Sequence, residues 1–195
     1  ETTLAAVIVD KKRDDKYQID DPKLIPEYAV LDPSFLATLP GKITSTTGMD
    51  ALTHAIEAYI GKSNVKKTKK YALSAIKLIF ENLLLSYEFP TSLEYREKMQ
   101  LASYQAGVAF TRVYVGNDHT LAQFLGGNYT TLHGLANAII LPYVLKVYGK
   151  SIYKKMSKIY DYVGFKDLKN MKDRTNFLIE YIENLNKKMN IENNL

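Results

Sequence analysis

The chain has 195 residues, 46% of them hydrophobic, which is enough to bury a core in one large domain or two small ones. It contains no cysteine, so disulfides, thiolate metal sites and a cysteine nucleophile are excluded, and any metal must be held by oxygen and nitrogen donors. The net charge of +5 is interleaved with acids and lacks any RNA-binding or helix-turn-helix signature, no apolar run reaches the roughly 18 residues of a membrane span, and Glu1 to Leu4 does not read as a signal peptide, so neither nucleic acid nor membrane is expected and a cytoplasmic location is.

The opening residues are β-rich. Leu4 to Val9 reads as a strand, Lys11 to Asp15 as a charged turn, Tyr17 to Ile19 as a second strand, and Tyr28 to Leu31 as a third after Pro22 and Pro26. Asp32-Pro33-Ser34 then turns the chain into a short helix that ends before Pro40. From Ile43 the apolar spacing becomes helical and stays so. It predicts helices over 47–60, 69–87, 93–110, 119–124, 133–148, 153–162 and 173–189, separated by Pro90, Gly116, Gly126-Gly127 and Gly164. No internal repeat or low-complexity linker interrupts the pattern. The expected fold is mainly α, with a β lead-in over 1–40 and a helical bundle over 41–195.

Within the first long helix, Gly48 to Tyr59, Asp50 and His54 stand four residues apart and share a face, so a carboxylate oxygen and an imidazole nitrogen can reach one ion. Ala51, Ala55 and Ala58 favour the helix and let another element pack close. Such a pair also occurs on helices as a plain polar pair. The remaining histidines sharpen the choice: His119 and His133 complete the count of three, each near a glycine in neutral, mostly apolar surroundings where an unpartnered imidazole is poorly accommodated.

Three segments together resemble the iron-containing (group III) alcohol dehydrogenases: Thr44 through Gly48-Met49-Asp50-Ala51-Leu52-Thr53-His54 to Tyr59; Gly107-Val108-Ala109-Phe110-Thr111-Arg112 running on to His119; and His133-Gly134-Leu135-Ala136-Asn137-Ala138 followed by Leu141-Pro142. The resemblance extends over essentially the whole chain. It implies a dehydroquinate synthase-like helical C-terminal domain in which Asp50, His54, His119 and His133 hold one divalent metal, Fe2+ or Zn2+. It further implies hydride transfer between a small primary alcohol or aldehyde and NAD or NADP, and leaves room for a homo-oligomer.

The resemblance also marks departures. Where many members carry a further histidine, four residues after the ligand that matches His119, this chain has Gln123, which hydrogen-bonds but does not titrate near neutrality. No catalytic residue is therefore assigned with Gln123 at that proton-relay position. Leu132 and Tyr143 also differ from the common Pro and His. Lys16 lies near a position where members often present a lysine to the nicotinamide ribose, although a lysine in so charged a turn is ordinarily solvated. Asp118, Thr120, Asn128 and Asn137 are candidates to hold the ligands in place, with helix capping the expected role of Asp118 and Asn128. Glu57 shares the face of Asp50 and His54 and is expected to support them rather than to be a fifth ligand.

No Gly-x-Gly-x-x-Gly follows a strand, and Glu1 resembles the last residue of the family's glycine-rich phosphate turn. The expectation is a fragment of a longer enzyme, cut at both ends and inactive alone. Two other readings stay open: a zinc-dependent relative of the glycerol dehydrogenase and dehydroquinate synthase branches, and a non-catalytic helical metal-binding module.

Overall fold

The structure, a computed structural model, describes residues 3–10, 15–111, 113, 116–128 and 131–192; the side chains of Val9, Asp15, Lys16 and Gln18 and of residues 126–128 lie outside that description. Two strands, β1 (Ala5–Asp10) and β2 (Asp15–Asp20), pair antiparallel from Ala5 opposite Asp20 to Asp10 opposite Asp15. Two short 3-10 turns follow at Pro22–Leu24 and Pro33–Leu36. Each starts on an aspartate whose carboxylate accepts a backbone N–H, Asp21 from Lys23 and Asp32 from Ser34, with proline in the first turn where its missing N–H costs nothing.

The third strand expected over Tyr28 to Leu31 does not form. Those residues are irregular and exposed, with Tyr28 and Val30 more than four-fifths accessible. A β-rich composition makes a strand only where a neighbouring strand takes up its backbone groups, and none lies beside this stretch among the described residues.

Seven helices form the rest: α1 (Gly41–Ile60), α2 (Lys66–Glu88), α3 (Leu93–Phe110), α4 (Asn117–Asn128), α5 (His133–Tyr148), α6 (Tyr153–Val163) and α7 (Met171–Lys188). Helix α1 begins six residues before the Thr47 start that apolar spacing indicates. Its first turns hold Thr44, Ser45, Thr46 and Thr47, weak helix formers whose hydroxyls each donate back to a carbonyl three or four residues earlier. Helix α4 likewise runs through Gly126-Gly127, which the sequence reads as a break.

Helix α1 is central. It packs against α2, α3 and α5, and buries Met49, Leu52, Ala55, Ile56, Ala58 and Tyr59 in the main core. Small residues make that possible. At Gly134, near the start of α5, an added Cβ would lie 2.6 Å from the Thr46 carbonyl oxygen, so only glycine lets α5 approach α1 this closely. Arg96 of α3 is 2% exposed and ties down the entry to α1: its guanidinium donates to the Pro90 carbonyl (2.9 Å), the Leu39 carbonyl (2.9 Å) and the Thr44 hydroxyl (2.6 Å). At the other end of α1, Lys155 of α6 donates to the carbonyls of Ile60 and Gly61, the latter shared with Asn64 Nδ2.

Helix α5 carries Pro142 in its interior. Proline removes the N–H that would have reached the Ala138 carbonyl. Asn186 of α7, 3% exposed, supplies the missing donor through Nδ2 at 2.6 Å, and the helix continues to Tyr148. No helix of the described residues is long and apolar enough to cross a membrane.

Candidate metal centre

Asp50 and His54 lie one turn apart on α1, with Asp50 Oδ2 and His54 Nδ1 3.9 Å from each other. His119 enters from the first turn of α4 and places Nε2 3.5 Å from Asp50 Oδ1. His133, the first residue of α5, brings its Nε2 to 3.7 Å from the same oxygen. Three imidazoles thus surround one carboxylate. One donor atom each from Asp50, His54 and His119 fall within 4.8 Å of one another; His133 approaches Asp50 but stands outside that tight group.

The rings are held by packing and by further hydrogen bonds. His54 stacks on Phe110, the last residue of α3, with centroids 4.3 Å apart, and tilts against His119 at 4.0 Å. His119 Nδ1 is 2.7 Å from Glu57 Oε2. Asn137, one turn after His133, donates through Nδ2 to Asp50 Oδ1 at 2.5 Å, with the same nitrogen 3.2 Å from His133 Nε2.

The charges respond to this crowding. Burial opposes ionisation of Asp50, but the three nearby imidazoles, His119 foremost, prevail and lower its pKa to about 2. Burial and the neighbouring His119 push His54 down to about 4. For His119, burial again works against charge, yet the carboxylates of Asp50 and Glu57 on its two nitrogens outweigh it and raise the pKa to about 9. Asp118 is fully buried with no hydrogen-bond partner on either oxygen, and burial together with Glu57 raises it to about 8.

The donor set fits a divalent cation. With Nδ1 committed to Glu57, His119 Nε2 is buried, lacks a hydrogen-bond partner, and faces the Asp50 carboxylate at a separation longer than a normal N–H to oxygen bond. Nitrogen and oxygen acceptors converging without sulfur suit iron, zinc, manganese or cobalt. Two cavities reach these residues. One of about 170 Å³ is lined by His54, His119, His133, Gln123 and Phe110; a larger one of about 610 Å³ extends from Asp50 and His54 past Phe110 and Tyr104 to Leu31.

The structure gathers Asp50, His54 and His119 as the sequence suggests and sets His133 beside Asp50. Gln123 lines the smaller cavity one turn after His119. Lys16 belongs to β2, but its side chain lies outside the described residues, as does that of Asn128. Asp118 is not the cap expected of it: it sits inside α4, its carboxylate bonds no backbone donor, and its own N–H is the donor, to Glu57 Oε1 at 2.9 Å. Thr120 donates to the Gly116 carbonyl instead of supporting a ligand. Nothing in the sequence marks Phe110 as the stacking partner of His54 except its place at the end of the Gly107 to Phe110 segment.

Residues 44–195 match the family described as Fe-containing alcohol dehydrogenase family, C-terminal. Over all 195 residues the chain is 40% identical to an NADPH-dependent butanol dehydrogenase of Clostridium saccharobutylicum, and it covers 50% of that protein. Over 149 residues, 76% of the chain, it is 45% identical to an aldehyde-alcohol dehydrogenase of Streptococcus pneumoniae serotype 4, of which the match covers 17%. Among solved structures, a 1,3-propanediol oxidoreductase superposes with a TM-score of 0.92 at 34% identity, covering 97% of this chain and 50% of that one. A sulfoacetaldehyde reductase from Bifidobacterium kashiwanohense, solved in complex with NAD+, gives 0.89 at 28% identity, covering 99% and 50%. The chain spans about half the length, or less, of the curated relatives it matches.

Proposed function

Because the chain belongs to the Fe-containing alcohol dehydrogenase family, we propose that it is the metal-binding part of an oxidoreductase that interconverts a small primary alcohol and its aldehyde with NAD or NADP. In this reading residues 41–195 form the metal-binding domain and residues 1–40 belong with the nucleotide-binding one. The observation that carries it is the convergence of Asp50, His54 and His119, with His133 at 3.7 Å from Asp50, around a buried imidazole nitrogen that has no other partner.

Asp50, His54, His119 and His133 would hold the ion, iron or zinc. A divalent cation bound there supplies Lewis acidity toward a substrate oxygen, favouring alkoxide in one direction and polarising an aldehyde carbonyl in the other. The rest falls to the chain's own side chains. Asp50 contributes the one negative charge among the ligands, so the set leaves net positive charge for an oxygen substituent. Asn137 fixes the Asp50 carboxylate, Phe110 fixes the plane of His54, and the larger cavity, lined by polar residues such as Gln100 and Ser103 as well as by Ala51, Leu31 and Phe110, leaves room for a short carbon chain beside the ligands. Gln123 can accept or donate a hydrogen bond in the smaller cavity but cannot take up a proton near neutral pH, so a proton leaving the alcohol must be received elsewhere.

Reconstitution of the chain with ferrous iron and, separately, zinc, followed by elemental analysis, tests this. About one ion per chain is expected for the wild type and a marked loss for His54→Ala. No bound metal in the wild type, or equal metal in both proteins, would overturn the reading.

A further inference from the structure

Glu57 is 4% exposed, and its carboxylate lies three residues beyond His54 on the same helix. Its oxygens are engaged by three donors from one short segment of another element. Oε2 accepts the Gly116 N–H at 2.8 Å and lies 2.7 Å from His119 Nδ1, and Oε1 accepts the Asp118 N–H at 2.9 Å. The segment fits closely against the carboxylate: a Cβ on Gly116 would stand 2.4 Å from Glu57 Oε1, so a larger residue there would displace the carboxylate from its donors. The same carboxylate stands at the N-terminus of α4, where free backbone N–H groups favour negative charge.

These bonds make Glu57 more than a buried charge with a partner. Asp50 and His54 ride on α1, whereas His119 rides on α4, and within the described residues Glu57 is the group that bonds both the His119 ring and the backbone leading into α4. A ring nitrogen donating to a carboxylate leaves the other nitrogen to the metal and fixes the ring's rotation. We infer that Glu57 is a positioning residue for the metal centre: it sets which nitrogen of His119 faces Asp50 and His54, and registers the α4 ligand against the two on α1. The inference rests on the metal-binding reading above, and extends it to a residue that touches neither metal nor substrate.

Its test is a titration of the metal-free chain with Co2+ and with Zn2+ against a competing chelator, for wild type, Glu57→Gln, His119→Ala and the double variant. Glutamine keeps the shape but cannot accept all three donors. Glu57→Gln is expected to weaken metal binding about 10- to 100-fold. In the His119→Ala background the same change is expected to do little, because the ring it positions is gone. The imidazole ¹⁵N signals of His119 in the metal-free protein are expected to move in Glu57→Gln while those of His133 do not. If Glu57→Gln does not fold, Glu57→Asp, which keeps the charge but withdraws it by one methylene, enters the same titration with an intermediate loss expected. Unchanged affinity in the folded Glu57 variant, or an equal loss with and without His119, overturns the positioning role while leaving the metal site standing. A wild-type chain that binds neither ion overturns the metal reading, and this inference with it.

Discussion

Asn186 of α7 donates its side-chain amide to the Ala138 carbonyl of α5, the acceptor that Pro142 deprives of its helical N–H. A long-range bond therefore repairs a local defect in the helix that begins at His133. Asn186→Ala is expected to destabilise the chain by about 1–3 kcal/mol, the cost of leaving a buried carbonyl unpaired. Urea denaturation measures it. In a Pro142→Ala background, where the helical N–H is restored, the cost should shrink; an equal cost in both backgrounds would show that Asn186 acts through packing alone.

A ligand that binds only the folded chain must stabilise it. At a free metal concentration a hundred times its dissociation constant, the gain is about 2.7 kcal/mol. Thermal melting with Zn2+ and again with chelator should show that difference for the wild type and lose most of it in His119→Ala. The affinity should also fall as the solution is acidified, since protons compete for the imidazole nitrogens.

Asp118 offers a pH dependence of definite sign. Its carboxyl is fully buried without a partner, and its pKa is raised from 3.8 to about 8. Between those values the folded chain holds a proton that the unfolded chain has released, so stability falls as pH rises through that window. In chelated protein, Asp118→Asn is expected to remove this decline and to be more stable than wild type near pH 8. Parallel stability curves for the two proteins would refute the assignment.

Gly134→Ala inserts a methyl group 2.6 Å from the Thr46 carbonyl, against backbone that cannot swing aside. A loss of about 1–3 kcal/mol is expected from the overpacking, read by chemical denaturation. Because His133 precedes Gly134, metal affinity should fall as well, separating this variant from a destabilising change remote from the site.

Arg96→Met retains apolar bulk but leaves the Pro90 and Leu39 carbonyls and the Thr44 hydroxyl without their donor. The expected cost is about 3 kcal/mol or more, from several buried acceptors left unpaired. A variant as stable as wild type would mean that water replaces the guanidinium.

The helices and the Asp50–His54 pair were legible because their signals are local, whereas His119 and His133 join that pair in the sequence only through the resemblance to a family. Helical spacing marks every element from 43 onward, and Asp50 and His54 need only a helix to meet. What stayed hidden depends on partners distant in sequence. Tyr28 to Leu31 looks like a strand until one asks what would pair with it. The start of α1 ahead of Thr47 stayed hidden because Thr44, Ser45 and Thr46 favour a helix little by themselves, whereas their hydroxyls bond back to carbonyls of that helix's own entry. Asp118 looks like a cap because of its position, while the carboxylate that receives the α4 backbone belongs to Glu57, some sixty residues earlier. Asn137 was visible as a nearby amide, but its bond to Asp50 spans 87 residues and required the α1 to α5 approach that Gly134 permits.

Helix α1 carries Asp50, His54 and Glu57 on the element most enclosed by its neighbours, whereas α4 has only Asp118, His119 and Ala122 buried among its described side chains. Amide protons of α1 should therefore exchange with solvent only when the whole bundle opens, and those of α4 through smaller excursions. The centre has a fixed half and a yielding half. Metal entry and departure would then follow the motions of α4, at rates set by how often His119 leaves Glu57 and not by the stability of the fold.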